Sequence, residues 1–117
     1  MNDPYHDRRL VVDLDGTLCE QTAGGDAYWT AKPKQDVIDK VNGLYDEGWH
    51  ITIYTARGMR TFNGNIDQIR EAYEEKTIDW LIEHGVWFDQ LLFGKPAGDR
   101  YVDDRSVRPD EFANGIR

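Results

Sequence analysis

The sequence predicts an α/β fold with an open parallel sheet flanked by helices. Short apolar runs typical of strands alternate with longer stretches in which apolar residues recur at helical spacing. Strand, helix, strand, helix, strand is the order expected when parallel strands are joined by helical crossovers. Polar residues follow the apolar runs at their carboxyl ends, where ligands bind in sheets of this kind.

The first predicted strand covers about residues 9–14, and its apolar side chains leave no polar face for solvent. Residues 16–33 form a long polar connection that is too irregular for a helix. Pro33 suits the first turn of a helix that ends near Gly48. The later predicted elements are a strand at 49–54, a turn-rich loop at 59–65, a helix from 66 to about 84, strands at 91–93 and 101–102, and a last helical turn at 109–114.

The connection between the third and fourth predicted strands is short. Only the segment from Gly94 to Arg100 separates them, whereas parallel crossovers commonly use a dozen or more residues. Seven extended residues reach roughly 24 Å, which is enough to pass two intervening strands. We therefore expect a four-stranded sheet whose last connection contains no full helix.

Length and charge limit the classes of protein that fit. A chain of 117 residues predicts a single domain over 1–117, with residues 1–8 as a flexible lead-in. The net charge of −8 argues against a nucleic-acid partner, because phosphate backbones are held by clustered Lys and Arg. We expect a cytoplasmic protein, since it has one cysteine, no secretory signal and no apolar run near the ~20 residues of a membrane span.

Two acids stand at the end of the first predicted strand. Asp13 and Asp15 are two residues apart, so a strand would place them on the same face, and Gly16 then permits a turn. Two neighbouring carboxylates are costly unless something positive joins them. A divalent cation together with a phosphate group meets that requirement.

The other predicted strands also end in residues that suit phosphoryl transfer. Thr55 and Arg57 follow the second strand, Lys95 follows the third, and the pair Asp103–Asp104 follows the fourth. Carboxylate and carbonyl oxygens are ligands that Mg²⁺ takes, and Lys and Thr can stabilise charge on a phosphoryl group. A carboxylate can also accept a phosphoryl group while a second acid protonates the leaving oxygen.

These residues resemble the four ordered motifs of the haloacid dehalogenase-like (HAD) hydrolases. The matching elements are the run Asp13-Leu14-Asp15-Gly16-Thr17-Leu18, then Thr55, then Lys95, then Asp103-Asp104. The resemblance implies a Rossmann-like sheet in which Asp13 is the nucleophile and Asp15 the general acid and base. It also implies that Mg²⁺ is held by Asp13, by the Asp15 carbonyl and by either Asp103 or Asp104. We favour Asp104 as the direct ligand, with Asp103 in support.

By the same resemblance, Thr55 and Lys95 bind the phosphoryl group. We place the neighbouring Ala56 and Arg57 among the substrate-binding residues. Arg57 and Arg60 either contact a substrate phosphate or lie in a solvated loop. Cys19 is expected to be a packed side chain. Tyr28 and Trp29 are expected in the core or at an interface, or else over the site.

The sequence has no insertion large enough for a cap domain, so the resemblance is to small capless phosphatases. An open site of this kind acts on a macromolecule or is covered by a second copy of the chain. The expected function is hydrolysis of a phosphate monoester. Sugar phosphates, nucleotides and phosphorylated protein or nucleic-acid ends are all open as substrates, and the negative charge disfavours only the last. The alternative is a phosphate-binding or receiver-like regulatory module without turnover.

Overall fold

The structure is a computed structural model that describes residues 8–115. Strand β1 (Arg9–Val12) is followed by a 3-10 helix (Gly25–Thr30), helix α1 (Gln35–Asp46), strand β2 (His50–Thr55), helix α2 (Ile66–Glu83), strand β3 (Gln90–Phe93) and helix α3 (Pro109–Ala113). The expected lead-in at 1–8 lies outside the described residues except for Arg8.

The three strands form one parallel sheet in the order β1-β2-β3. Arg9 pairs with His50 at one end of the first ladder, and Thr55 pairs with Phe93 at the other end of the second. The predicted α/β class with parallel strands is therefore confirmed. Because all strands run the same way, their carboxyl ends meet at one edge of the sheet.

Both long helices pack on the same face of the sheet. Two right-handed crossovers in the same direction, β1 to β2 and β2 to β3, place their helices on one side. Ile51 and Ile53 of β2 are fully buried there. The core also contains Val12 of β1, residues of the 14–19 turn and of both helices: Leu14, Leu18, Cys19, Ala31, Val37, Ile38, Val41, Leu44, Trp80, Leu81 and Val86.

The opposite face of the sheet is much more exposed. Val11 is 60% exposed on β1, and Leu92 is 42% exposed on β3. Among the described residues β1 pairs with β2 alone, so it is an edge strand. The prediction that the first strand is buried on both faces is wrong, because Val11 is exposed and no helix within residues 8–115 covers it.

The predicted fourth strand is absent from the described part of the chain. Tyr101 and Val102 belong to no strand, and Val102 is fully exposed at 101%. The adjoining residues turn instead, since the Asp103 carboxylate accepts a hydrogen bond of 2.9 Å from the Arg105 amide. Tyr101 and Val102 are the only two apolar residues between the 94–100 connection and this turn. Two residues are too few to form a stable β-ladder with a neighbouring strand.

The long connection at 16–33 is more ordered than expected. Its 3-10 helix, Gly25–Thr30, contradicts the prediction of a loop without helix. Pro33 lies before α1 rather than in its first turn, because Lys34 is the N-cap residue. The buried Trp80 indole donates a 3.0 Å hydrogen bond to the Ala31 carbonyl and so fixes the connection to α2.

The remaining predicted boundaries agree to within a few residues. Helix α2 begins at Ile66 as predicted and ends at Glu83, and its N-cap Asn65 accepts a hydrogen bond from the Gln68 amide. Strand β1 ends two residues before its predicted end. In the described range, 8–115, no helix combines the length and apolar character required to cross a bilayer.

Replacement of Trp80 by Phe tests the attachment of the connection to α2. The change leaves the buried Ala31 carbonyl without its donor and removes part of a buried ring. We expect Trp80→Phe to lower the free energy of unfolding by about 2 kcal/mol, measured by urea denaturation. The control Trp87→Phe, at a half-exposed position, should change the free energy of unfolding by less than about 0.5 kcal/mol. Equal losses in the two variants would contradict the role of the Trp80 hydrogen bond in attaching the connection to α2.

Candidate functional site

Asp13 and Asp15 lie just beyond the carboxyl end of β1 and line the same pocket, which has a volume of about 270 Å³. The Asp13 Oδ1 atom accepts a 2.8 Å hydrogen bond from the Leu14 amide, which fixes the orientation of that carboxylate. The rest of the lining comes from the connection after β1, the turns after β2 and the segment after β3: Gln21, Tyr28, Ala56, Arg57, Gly58, Arg60, Thr61, Ala97, Gly98 and Tyr101.

A tight turn after Asp15 presents these two acids. The amides of Leu18 and Cys19 both reach the Leu14 carbonyl, and the Gly16 amide donates to the Cys19 carbonyl at 2.8 Å. Gly16 has a φ of 83°, and a Cβ there would lie 2.8 Å from the Gln21 amide nitrogen. Glycine is therefore required by the backbone angle, whereas the flexible end of the Gln21 side chain can move aside.

Lys95 contacts Asp13, although the two residues lie far apart in the sequence. Its Nζ atom lies 3.2 Å from Asp13 Oδ2, and its backbone amide donates a 3.2 Å hydrogen bond to the Thr55 carbonyl. Gly94 makes this approach feasible, because its φ of 105° is in the left-handed region and a Cβ would lie 2.8 Å from Ile66 Cδ1. The structure thus brings together two residues that the sequence placed at different strand ends.

Arg57 is buried and bound to Asp15. Its Nε and Nη2 atoms donate to the two Asp15 carboxylate oxygens, each at 2.9 Å, and its side chain is 0% exposed. The remaining nitrogen, Nη1, is also buried and has no hydrogen-bond partner within the described 8–115 range. The interpretation of Arg57 as part of a solvated loop is therefore wrong; its contact with a substrate stays a prediction.

Thr55 and Ala56 connect β2 to this ion pair. Thr55 is 1% exposed, and its hydroxyl oxygen accepts a 3.1 Å hydrogen bond from the Arg57 amide. The hydroxyl proton is left available for another acceptor. Ala56 lines the pocket between these residues.

An aromatic group covers the guanidinium of Arg57. The carbon at its centre lies 4.3 Å from the centroid of the Tyr28 ring and 5.8 Å from that of Trp29. Both rings contact Tyr73 of α2 edge to face, with centroids 5.9 and 5.5 Å apart. Tyr28 therefore lies over the Arg57 guanidinium and also lines the pocket, while its place at a functional site stays a prediction.

Cys19 packs beneath the same carboxylate. It is fully buried, as expected for a packed side chain, and its Sγ atom lies 3.5 Å from Asp15 Oδ1. Burial, with a smaller contribution from the Asp15 charge, raises the pKa of the Cys19 thiol from 9.0 to about 12. Burial also raises the pKa of Tyr28.

Asp103 and Asp104 are not part of this pocket lining. Both are exposed, and the Asp103 backbone and side chain are engaged in a local turn with Arg105 and Ser106. Across residues 8–115, no group of three or more His, Cys, Asp or Glu side chains is placed to hold a metal ion. The Asp13 carboxylate and the Asp15 carbonyl are still hard oxygen donors of the kind that Mg²⁺ takes.

Six residues of the pocket lining had no predicted role at the site: Gln21, Gly58, Thr61, Ala97, Gly98 and Tyr101. Gln21 and Thr61 lie in loops without any local pattern, and Tyr101 was assigned to a strand. A larger pocket of about 430 Å³ lies elsewhere, lined by Tyr45, Val86, Trp87 and Phe88. We place the site at the smaller pocket, because the carboxylates, Lys95 and the guanidinium groups converge there.

No family model matches the chain, and no curated protein matches it. A crystal structure of a structural-genomics target from Vibrio cholerae superimposes with a TM-score of 0.84 and 41% sequence identity, covering 91% of this chain and 87% of that one. This chain belongs to the family of that Vibrio protein.

A second structure supports the fold alone. A chain of a Pnkp1/Rnl/Hen1 complex superimposes with a TM-score of 0.56 at 20% identity, covering 97% of this chain and 38% of that chain. The α/β arrangement of this family member is therefore also found within a much longer protein.

Substitution of Arg57 by Lys tests the buried ion pair. Lys keeps the positive charge but cannot donate two parallel hydrogen bonds to Asp15, whose side chain is 18% exposed. We expect Arg57→Lys to lower the free energy of unfolding by about 3 kcal/mol in urea denaturation. Arg60→Lys is the matched control, because Arg60 is 78% exposed, and it should cost less than about 0.5 kcal/mol. A comparable loss of unfolding free energy in both variants would show that the ion pair between Arg57 and Asp15 is not the cause of the loss.

The Cys19 thiol predicts a loss of stability in alkaline solution. Its pKa is raised from 9.0 to about 12 in the folded protein, so the unfolded chain loses this proton first. The free energy of unfolding should therefore fall as pH rises above 9.0, by at most about 1.4 kcal/mol per pH unit from this group. Urea denaturation across this range should show a shallower decline for Cys19→Ala, while Tyr28 acts in the same direction in both proteins. Identical slopes would exclude Cys19 as the source.

Proposed function

We propose that the protein is a phosphatase of the HAD type, which hydrolyses a phosphate monoester through an aspartyl-phosphate on Asp13 and depends on Mg²⁺. The observation that carries the proposal is the Asp13–Lys95 contact of 3.2 Å in the pocket that Asp15 also lines. These are three of the residues to which the resemblance gives roles. Their order along the chain matches the order of the HAD motifs.

Asp13 is suited to the role of nucleophile by its surroundings. Its side chain is 33% exposed, one oxygen accepts the Leu14 amide and the other faces the Lys95 ammonium. In the proposed reaction a carboxylate oxygen of Asp13 attacks phosphorus, and the bond between phosphorus and the ester oxygen breaks. Lys95 and the Thr55 hydroxyl stabilise the negative charge on the phosphoryl oxygens.

Asp15 carries the proton in both halves of the reaction. It donates a proton to the leaving oxygen, and then accepts one from the water that attacks phosphorus and releases phosphate from Asp13. Its two bonds from Arg57 fix the orientation of the carboxyl group. Each of its oxygens has two lone pairs, so one lone pair can take the proton while the other still accepts from Arg57.

The donor chemistry of the pocket suits Mg²⁺. In this proposal the Asp13 carboxylate and the Asp15 carbonyl hold the ion, and Asp104 with Asp103 in support completes the set. When bound, the ion supplies positive charge against the transferring phosphoryl group. The exposed segment that carries Asp103 and Asp104 then has to approach the pocket.

The pocket favours a small substrate. Its volume of about 270 Å³ holds a phosphoryl group and a compact leaving group, and no cap lies over it in the described structure. Sugar phosphates and nucleotides both belong to this size class. A second copy of the chain over the open pocket would exclude water from it.

One observation favours a phosphate-binding or receiver-like module without turnover as a second candidate. Within the described residues the acids do not gather into a group that could hold a metal ion. Such a module would release no phosphate, and failure to bind Mg²⁺ or fluoroberyllate, a mimic of the phosphoryl group, would favour it. Calorimetry and a phosphate-release assay on the same preparation separate the two candidates.

Replacement of Asp13 by Asn is the direct test of the phosphatase. With an aryl phosphate and Mg²⁺, we expect Asp13→Asn to lower the rate of phosphate release by at least about a thousandfold, since the amide is a poor nucleophile. Chelation of the metal by EDTA should abolish activity of the wild type. The control Asp79→Asn, at an exposed position on α2, should retain full activity. Activity that survives Asp13→Asn would exclude this residue as nucleophile.

A further inference from the structure

The Lys95 ammonium has a second partner besides Asp13. Its Nζ atom lies 4.1 Å from the centroid of the Tyr101 ring, a distance at which a cation is attracted to the negative face of the ring. The same atom is 3.2 Å from Asp13 Oδ2, so the ammonium lies between a carboxylate and an aromatic face. The Lys95 side chain is 19% exposed, which limits the loss of this attraction to solvent.

The hydroxyl of Tyr101 fixes the ring in that position. It donates a 2.6 Å hydrogen bond to the Pro96 carbonyl and accepts a 2.9 Å hydrogen bond from the Gly98 amide. These contacts close the segment between Lys95 and Tyr101 on itself, although residues 101–108 are all exposed.

The two partners of Lys95 differ in what they allow during the proposed reaction. Asp13 has to give up its contact with the ammonium in order to attack phosphorus. The face of the Tyr101 ring attracts the ammonium but accepts no conventional hydrogen bond from it. The N–H donors of Lys95 therefore remain available for phosphoryl oxygens. Without the ring, the Lys95 ammonium would be free to move, because its four-carbon side chain is flexible.

We propose that Tyr101 is a positioning residue that holds Lys95 at the phosphoryl site when Asp13 becomes the nucleophile. This inference rests on the proposed phosphatase for its catalytic meaning. The contact between the ring and the ammonium can be tested without it. Tyr101 acts through Lys95, and the resemblance to HAD hydrolases gives it no role.

Two variants separate the ring from the hydroxyl. Tyr101→Leu removes both, while Tyr101→Phe keeps the face on which the ammonium rests. With an aryl phosphate, we expect Tyr101→Leu to lower kcat about tenfold and Tyr101→Phe to recover most of that loss. Tyr101 is 52% exposed, so neither change should alter the thermal unfolding temperature appreciably. The control Tyr45→Leu, an exposed tyrosine that does not line the pocket, should leave kcat unchanged.

A double-mutant cycle shows whether Tyr101 acts through Lys95. In a Lys95→Gln background, Tyr101→Leu should cause no further loss of residual activity, because the cation that the ring holds is gone. An undiminished kcat in Tyr101→Leu would overturn the proposal. A loss that is equally large in the Lys95→Gln background would overturn it as well, since the ring would then act elsewhere.

An NMR measurement decides the contact independently of turnover. Protons on the ε carbon of Lys95 lie near the ring face, so their signals should be shifted upfield in the wild type and in Tyr101→Phe. In Tyr101→Leu they should return to the ordinary lysine position, with Lys95→Gln identifying the signal. If the wild type releases no phosphate, the proposed function fails, and these signals still decide whether Tyr101 holds Lys95. Unshifted signals in the wild type would overturn the inference.

Discussion

The ion pair between Arg57 and Asp15 is the interaction on which the site depends. A guanidinium with a fully buried side chain is tolerated only when its charge is compensated, and Asp15 supplies two hydrogen bonds of 2.9 Å. Asp15 follows the first strand and Arg57 the second, so the pair ties the carboxyl ends of two neighbouring strands together. Fixing this pair also fixes the turn that presents Asp13.

The aromatic group around Tyr28 gives this pair its low-dielectric surroundings. Tyr28 covers the guanidinium, and Trp29 and Tyr73 support Tyr28 through edge-to-face contacts. Phe62 extends the group from the loop after β2, with its centroid 5.6 Å from that of Tyr73. The connection after β1 therefore helps to form the site, because it carries Tyr28 and Trp29. The hydrogen bond from Trp80 to the Ala31 carbonyl attaches this connection to α2.

The architecture of the sheet determines which residues can meet. Three parallel strands end at one edge, so the turns after β1 and β2 and the segment after β3 lie side by side. Lys95 reaches this edge because its amide bonds to the Thr55 carbonyl as β3 ends. The residues just before Asp103 and Asp104 form no strand of the sheet. Asp103 and Asp104 therefore lie in an exposed turn instead of at this edge of the sheet.

Local patterns in the sequence determined the class of fold and most of its elements. The apolar periodicity of α2 and the N-cap at Asn65 are properties of short segments, so its boundaries could be predicted closely. The alternation of strands with helices likewise required parallel pairing. The expectation that Asp13 and Lys95 converge came from strand ends alone, and the structure places them in contact.

Only the tertiary structure decided the features that depend on distant partners. The burial of Arg57 could not be read from the sequence, because it depends on Asp15 and Tyr28, which lie far from it along the chain. The same holds for Tyr101, whose apolar neighbour suggested a strand but whose ring instead faces Lys95. A two-residue apolar run carries too little periodicity to distinguish a strand from a loop, and packing against the rest of the molecule settles it.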